Sequence, residues 1–356
     1  MQNAIRLRPD NFTPPSRTPW GGTRLLARYK QGLGIAGVAA DAPVGESWEL
    51  SVSEEFHSLT EGGERLAEVL ARAPEAALGG EATLGRATTA LLVKWLDAGD
   101  NLSVQIHPED DYAGLASGEG GKLEGWYVVA HEPGAGLYLG FRAGVSERDL
   151  VRAVDERADV SALMQFVPVQ CGDFVLLEPG TPHAVGAGVT LIEPQLVAPG
   201  RRGVTYRYWD WNRRYAADGA PDPGGKPREL HLVHALAVTR WDRVTDPAWL
   251  ASRRSALGWP DAHARARTDV ICGPAAPALL RSTALHVARL CGTGVAQLPD
   301  WNALRALTVI EGEIVLGEGR DAITIAQGCS AAIPAAAGAL AAELRQAHAV
   351  LAAVAV

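Results

Sequence analysis

Three short stretches of this chain carry residues that together could hold a metal ion. In the first, Ser103-Val104-Gln105-Ile106-His107, polar and apolar residues alternate. Side chains two apart on a strand share a face, so Gln105 and His107 point together while Val104 and Ile106 turn into packing. The second, Gly121-Lys122-Leu123-Glu124, supplies a carboxylate, and the third, Gly180-Thr181-Pro182-His183, a second imidazole. Gln105, His107, Glu124 and His183 make a four-ligand nitrogen and oxygen set of the kind zinc accepts, with a position open for water or substrate. A Gln-x-His pair by itself usually lines a polar interior. The metal reading rests on all three stretches occurring in order.

The elements that must position these residues read mainly as strands. Residues 91–98 form a buried strand, and the Gly99-Asp100-Asn101 turn after it predicts a hairpin carrying Gln105 and His107. Residues 45–52 alternate, with Glu46, Trp48 and Leu50 as one interior face. From Gly172 a strand runs into a Pro179-Gly180 turn that delivers His183 at the start of the next strand, and on 189–195 Glu193 and Gln195 share a face. Alternation over 205–211 sets Arg207 with Trp209 on one side and Tyr206, Tyr208 and Asp210 on the other, with Arg207 inward beside the metal. Helical spacing appears at 64–78, after the Ser146-x-x-Asp149 capping signature, and at 228–240. The proline-rich entry at 12–26 is organised around Trp20 as an exposed or site-facing indole.

The bulk composition restricts the partners. At 356 residues the chain has room for two domains, and 47% hydrophobic with 21% charged residues is ordinary for a globular protein. A net charge of −8 argues against nucleic acid, so an anionic small substrate would have to meet local positive charge. Four scattered cysteines, Cys171, Cys272, Cys291 and Cys329, read as free thiols in a reducing cytoplasm. Neither a signal core in the first ten residues nor a long apolar run points to secretion or a membrane; the alanine-rich 331–356 is broken by Pro334, Gly338, Glu343 and Arg345. The segment from Gly328 to Pro334 echoes Gly172 to Pro179 but continues into Ala335-Ala336-Ala337, with no histidine. The division expected is therefore a catalytic unit with helical insertions over 1–260 and a degenerate repeat without metal ligands over 261–356.

Taken together, Pro19-Trp20-Gly21-Gly22, Gly45-Glu46-Ser47-Trp48-Glu49, residues 93–98 and 102–110, Gly121-Lys122-Leu123-Glu124, residues 180–188, Thr205-Tyr206-Arg207 with Asp210, and residues 307–312 resemble the mannose-6-phosphate isomerases of the short bacterial type I class, in the cupin superfamily. The resemblance implies a mainly β fold of two cupin (jelly-roll β-barrel) domains with a helical portion attached to the first. It implies one zinc ion per chain on Gln105, His107, Glu124 and His183, and Lys122 and Arg207 as the cations of a sugar-phosphate site. The implied activity is metal-dependent interconversion of mannose 6-phosphate and fructose 6-phosphate. For the proton carrier, Lys122, Glu193 and a water on the metal all stay open, because each has only to reach the proton. Gly125, where the family has a bulkier residue, and a long 196–204 loop with Arg201 and Arg202 are departures that would alter substrate fit. The rival readings are an isomerase of different sugar specificity and a non-catalytic sugar-phosphate-binding cupin; iron-dependent oxygenation is disfavoured by the Gln105 amide.

Overall fold

The run Leu91-Leu92-Val93-Lys94-Trp95-Leu96 offers almost no solvated face, and it forms the strand Leu91–Asp97, buried along nearly its whole length. The computed structural model describes residues 3–274 and 277–355, and it is mainly β. Leu91–Asp97 belongs to a six-stranded sheet ordered Arg254–Ala256, Asp173–Leu177, Leu123–His131, Val189–Leu196, Leu91–Asp97, Glu46–Leu50. Facing it is a five-stranded sheet ordered Tyr206–Trp209, Val104–Ile106, His183–Val185, Gly136–Phe141, Met164–Pro168. Neither sheet closes on itself. The apolar layer between them holds Leu137, Leu139 and Val185 from one and Leu96, Val128, Val175, Leu177 and Leu191 from the other. Trp20 is buried in this layer at 5% exposure, so it is a packing residue and not an exposed indole.

An eight-stranded sheet, centred on Arg305–Leu316, Leu340–Val354 and Leu285–Leu298, covers the outer face of the six-stranded one. Val287, Ala306, Ile310, Val350 and Ala352 pack there against Val93, Trp95, Tyr127, Phe174 and Ile192, while Leu307, Val309, Ala349 and Leu351 face a second core on the far side. The N-terminal strand Ile5–Arg6 pairs with Ser330–Ile333 and so lies in this C-terminal sheet. Leu340–Val354 is the alanine-rich tail, which reads poorly as a strand because alanine has little β preference; its place in the middle of the sheet, between Arg305–Leu316 and Leu285–Leu298 and buried on both faces from Ala347 on, decides its conformation.

The helices follow their signatures with shorter bounds. Ser146 caps Glu147–Asp155 with a full capping box, and Leu150 and Ala153 pack with Ala235 of Leu232–Val238 on the outer face of the five-stranded sheet. The expected 64–78 helix is split into Leu66–Ala71 and Pro74–Leu78, because Pro74 cannot continue a helix from the preceding turn. No helix among the described residues is long and apolar enough to cross a membrane. The expected hairpin at Gly99-Asp100-Asn101 is instead a crossing between sheets, since Leu91–Asp97 and Val104–Ile106 belong to opposite ones. That crossing puts Lys94 and Gln105 on two walls of one cleft.

Candidate metal centre and active site

Register builds the site. On the five-stranded sheet His183 pairs with Gln105, and Gln105 with Arg207, so these three side chains stand in a row on one face, with His107 two residues beyond Gln105. On the facing sheet Glu124 pairs with Gln195, and Glu193 with Lys94, which itself pairs with Trp48. The two rows meet at His107, Glu124 and His183, whose ligand atoms all lie within 4.8 Å of one another. Glu124 Oε1 is 3.2 Å from His107 Nε2, and Glu124 Oε2 is 3.7 Å from His183 Nε2.

Each imidazole is held by its other nitrogen. His107 Nδ1 is 2.8 Å from the Val204 carbonyl and His183 Nδ1 is 2.8 Å from the Thr181 carbonyl; a carbonyl only accepts, so both Nδ1 atoms carry the proton and both Nε2 lone pairs face the cleft. Burial lowers the pKa of both rings, that of His183 to about 3 with help from His107, so both are neutral at ordinary pH, the form that ligates. Gln105 Nε2 lies 3.4 Å from His183 Nε2, and Ser103 Oγ donates to Gln105 Oε1 at 3.0 Å; a half-turn of the amide would present Oε1 to the cleft. Among the described residues, His107 Nε2 and Glu124 Oε2 are buried without a hydrogen-bond partner. Leaving such atoms unpartnered is costly unless something else binds them, and two nitrogens, a carboxylate and an amide suit zinc. The residues present fit a divalent ion.

The walls are heavily charged. Lys122 Nζ is 2.8 Å from Glu124 Oε1, and Gln195 Nε2 donates to the same oxygen at 2.6 Å. Burial raises Glu124, yet neighbouring positive charge, that of Lys122 included, holds it well below the usual carboxylate range. Lys94 lies 3.6 Å from Glu46 and 3.7 Å from Glu193, with its ammonium 4.4 Å above the Trp48 ring; burial pulls its pKa down, but the two carboxylates outweigh it and the net direction is up. Trp126 Nε1 donates to Glu193 Oε1 at 2.8 Å. Burial, with the nearby Glu124 charge, pushes Glu193 up to about 7. Arg207 differs from these cations: it has no carboxylate within ion-pair distance among the described residues, its Nε is buried without a partner, and burial together with Arg228 lowers it to about 10.

Several positions depart from the sequence expectation. A bulge between Arg207 and Trp209 turns Trp209 to the opposite face, where it packs with Tyr206 and Tyr208. A second bulge, after Trp48, turns Leu50 into the outer core, so only Glu46 and Trp48 face the cleft. Gly125 points away from the cleft: a Cβ there would meet Phe174 at 2.6 Å and Leu285 at 3.3 Å, so its smallness serves contact with the C-terminal sheet and not substrate fit. The 196–204 loop does reach the site, because Val204 supplies the carbonyl for His107 and Gly203 lies against the Lys122 side chain, while Arg202 pairs with Glu119. Lys94 is a site residue that the strand pattern does not single out, although a lone lysine inside an apolar strand run is a signal for it.

No family model matches the chain. It is 32% identical over 241 residues to the mannose-6-phosphate isomerase of Streptococcus mutans serotype c, covering 65% of this chain and 68% of that protein. It is 38% identical over 149 residues to the mannose-6-phosphate isomerase ManA of Bacillus subtilis, covering 42% of this chain and 43% of that one. Among solved structures, the mannose 6-phosphate isomerase of Bacillus subtilis superposes with a TM-score of 0.73 at 22% identity over 99% of both chains. The Salmonella typhimurium enzyme, bound to fructose 6-phosphate and zinc, superposes at 0.66 and 14% identity over 99% of this chain and 100% of that one.

Proposed function

The chain belongs to the mannose-6-phosphate isomerase family, and from that premise we propose that it interconverts mannose 6-phosphate and fructose 6-phosphate with one zinc ion per chain held by Gln105, His107, Glu124 and His183. The observation that carries the reading is the convergence of two neutral imidazoles and a carboxylate, with polar atoms buried and unpartnered, in a cleft that also holds an unpaired guanidinium. When bound, the ion supplies a Lewis acid for sugar oxygens. Arg207 takes the phosphate, because a planar guanidinium without a carboxylate partner has its donors free for one. Lys122 fixes the Glu124 carboxylate and adds positive charge where the carbonyl oxygen becomes negative. Glu193, poised near neutrality and held by Trp126, can take or return the proton moved between C1 and C2. The catalytic unit spans 1–260 apart from the strand Ile5–Arg6, which joins the C-terminal sheet, and 261–356 is a degenerate cupin repeat without metal ligands among its described residues. Free thiols at all four cysteines suit a reducing cytoplasm.

The test is a coupled isomerase assay on chelator-stripped protein resupplied with zinc, beside His183→Ala. Stripping should abolish turnover and one equivalent of zinc restore it, while His183→Ala loses zinc and turnover together but still unfolds cooperatively. Turnover indifferent to metal would overturn the reading.

A further inference from the structure

Arg207 sits on the edge strand of the five-stranded sheet, opposite Gln105 and next to a bulge, where a main chain is least constrained. What fixes it is one residue from another element. The main-chain N–H of His231 donates to the Arg207 carbonyl at 2.8 Å, and the Arg207 N–H donates to His231 Nδ1 at 3.2 Å. His231 thereby satisfies both edge-facing groups of Arg207 as a neighbouring strand residue would, with its ring replacing the missing carbonyl. It stands at the N-terminus of Leu232–Val238, yet its side chain makes no cap to that helix and turns to the strand instead.

We infer that His231 is a positioning residue for phosphate recognition: its neutral imidazole clamps the strand at the residue that carries the free guanidinium and so aims Arg207 at the anion. This rests on the sugar-phosphate reading above. The clamp needs an unprotonated Nδ1, since a protonated ring would bring two N–H groups face to face. The groups around the ring are Arg207 and His234, which oppose its protonation, and Glu229 and Glu119, which favour it, with the Tyr206 ring 6.0 Å away; burial and Arg207 leave the net direction down. An amide oxygen can accept the same N–H without titrating, which makes His231→Asn the conservative variant and His231→Phe the disabling one.

The experiment uses the zinc-loaded full chain and two readouts: KM and kcat for mannose 6-phosphate, and binding of inorganic phosphate by calorimetry, which needs no turnover. His231→Phe should weaken both KM and phosphate binding by about tenfold with kcat nearly unchanged, the scale expected of a slightly misplaced binding group. His231→Asn should recover both, and on acidification at constant zinc content its KM should rise less than that of the wild type, the remaining rise being protonation of the phosphate itself. Unchanged KM and phosphate affinity in His231→Phe, or no recovery in His231→Asn, would overturn the inference. If the wild type binds phosphate through the clamp but does not turn over the sugar, the isomerase reading fails and the positioning role stands.

Discussion

Glu193→Gln is the most informative single change, because the structure sets both the sign and the size of its effect. Glu193 is 4% exposed, faces Lys94 at 3.7 Å, accepts from Trp126, and has its pKa raised from 4.5 to about 7. At about 1.4 kcal/mol for each tenfold change, ionising it in the folded chain costs roughly 3 kcal/mol more than in the unfolded chain. Between pH 4.5 and about 7 the folded chain therefore keeps a proton that the unfolded chain releases, and this group's contribution to stability falls as pH rises through that window. Glutamine keeps an acceptor for Trp126 and does not titrate. Lys94 keeps Glu46 at 3.6 Å as counter-charge. In zinc-free protein, the unfolding free energy of Glu193→Gln relative to wild type should therefore rise by most of that roughly 3 kcal/mol between about pH 5 and pH 8, read from urea unfolding at each pH. Catalytically, the same variant should lose most of kcat if Glu193 moves the proton, by the order of 10²-fold to 10⁴-fold. A stability difference that is the same at both pH values would refute the assignment of a raised, buried carboxyl.

Gln195→Leu keeps the volume roughly but removes the donor to Glu124 Oε1, so zinc affinity, measured by competition with a chelator, should weaken about tenfold to a hundredfold while zinc-saturated kcat changes little. Unchanged affinity would mean that Lys122 alone orients the carboxylate. Gly125→Val drives a side chain into Phe174 on the face away from the cleft, and should cost about 1–3 kcal/mol of unfolding free energy while leaving the zinc-loaded KM unmoved. A changed KM with unchanged stability would return Gly125 to the substrate pocket.

The part of the site that follows from strand period alone was legible: Gln105 with His107, and Glu193 with Gln195, each share a face as alternation requires. Bulges escaped, because one extra residue reverses every later side chain and leaves no mark in composition; Trp209 and Leu50 are the two reversed here. Main-chain contacts escaped for a different reason. The carbonyls of Val204 and Thr181 that set the histidine tautomers belong to residues whose types say nothing of it. The Gly99-Asp100-Asn101 turn has the chemistry of a hairpin, and only the placement of its flanking strands in opposite sheets distinguishes the two outcomes. The alanine-rich strand Leu340–Val354 was illegible because alanine has little β preference and its second half, residues 347–354, is buried on both faces, which removes there the alternation that marks a strand with one wet face.

The charges lining the cleft also account for its ligand. Lys94, Lys122 and Arg207 stand against Glu46, Glu124 and Glu193, so once Glu193 ionises, above about pH 7, the walls are balanced before anything binds. The balance is uneven in space: Lys94 and Lys122 each lie against a carboxylate, and the surplus positive charge is left on Arg207 while the surplus negative charge falls on Glu46 and Glu193, with Lys94 between them. A divalent ion at His107, Glu124 and His183 would tip the cleft positive by two, in a setting where burial weakens screening. A sugar carrying a phosphate dianion restores neutrality, whereas the unphosphorylated sugar would leave both the added charge and the Arg207 guanidinium uncompensated. The discrimination between them is therefore electrostatic first, and falls on Arg207, which has no carboxylate within ion-pair distance among the described residues.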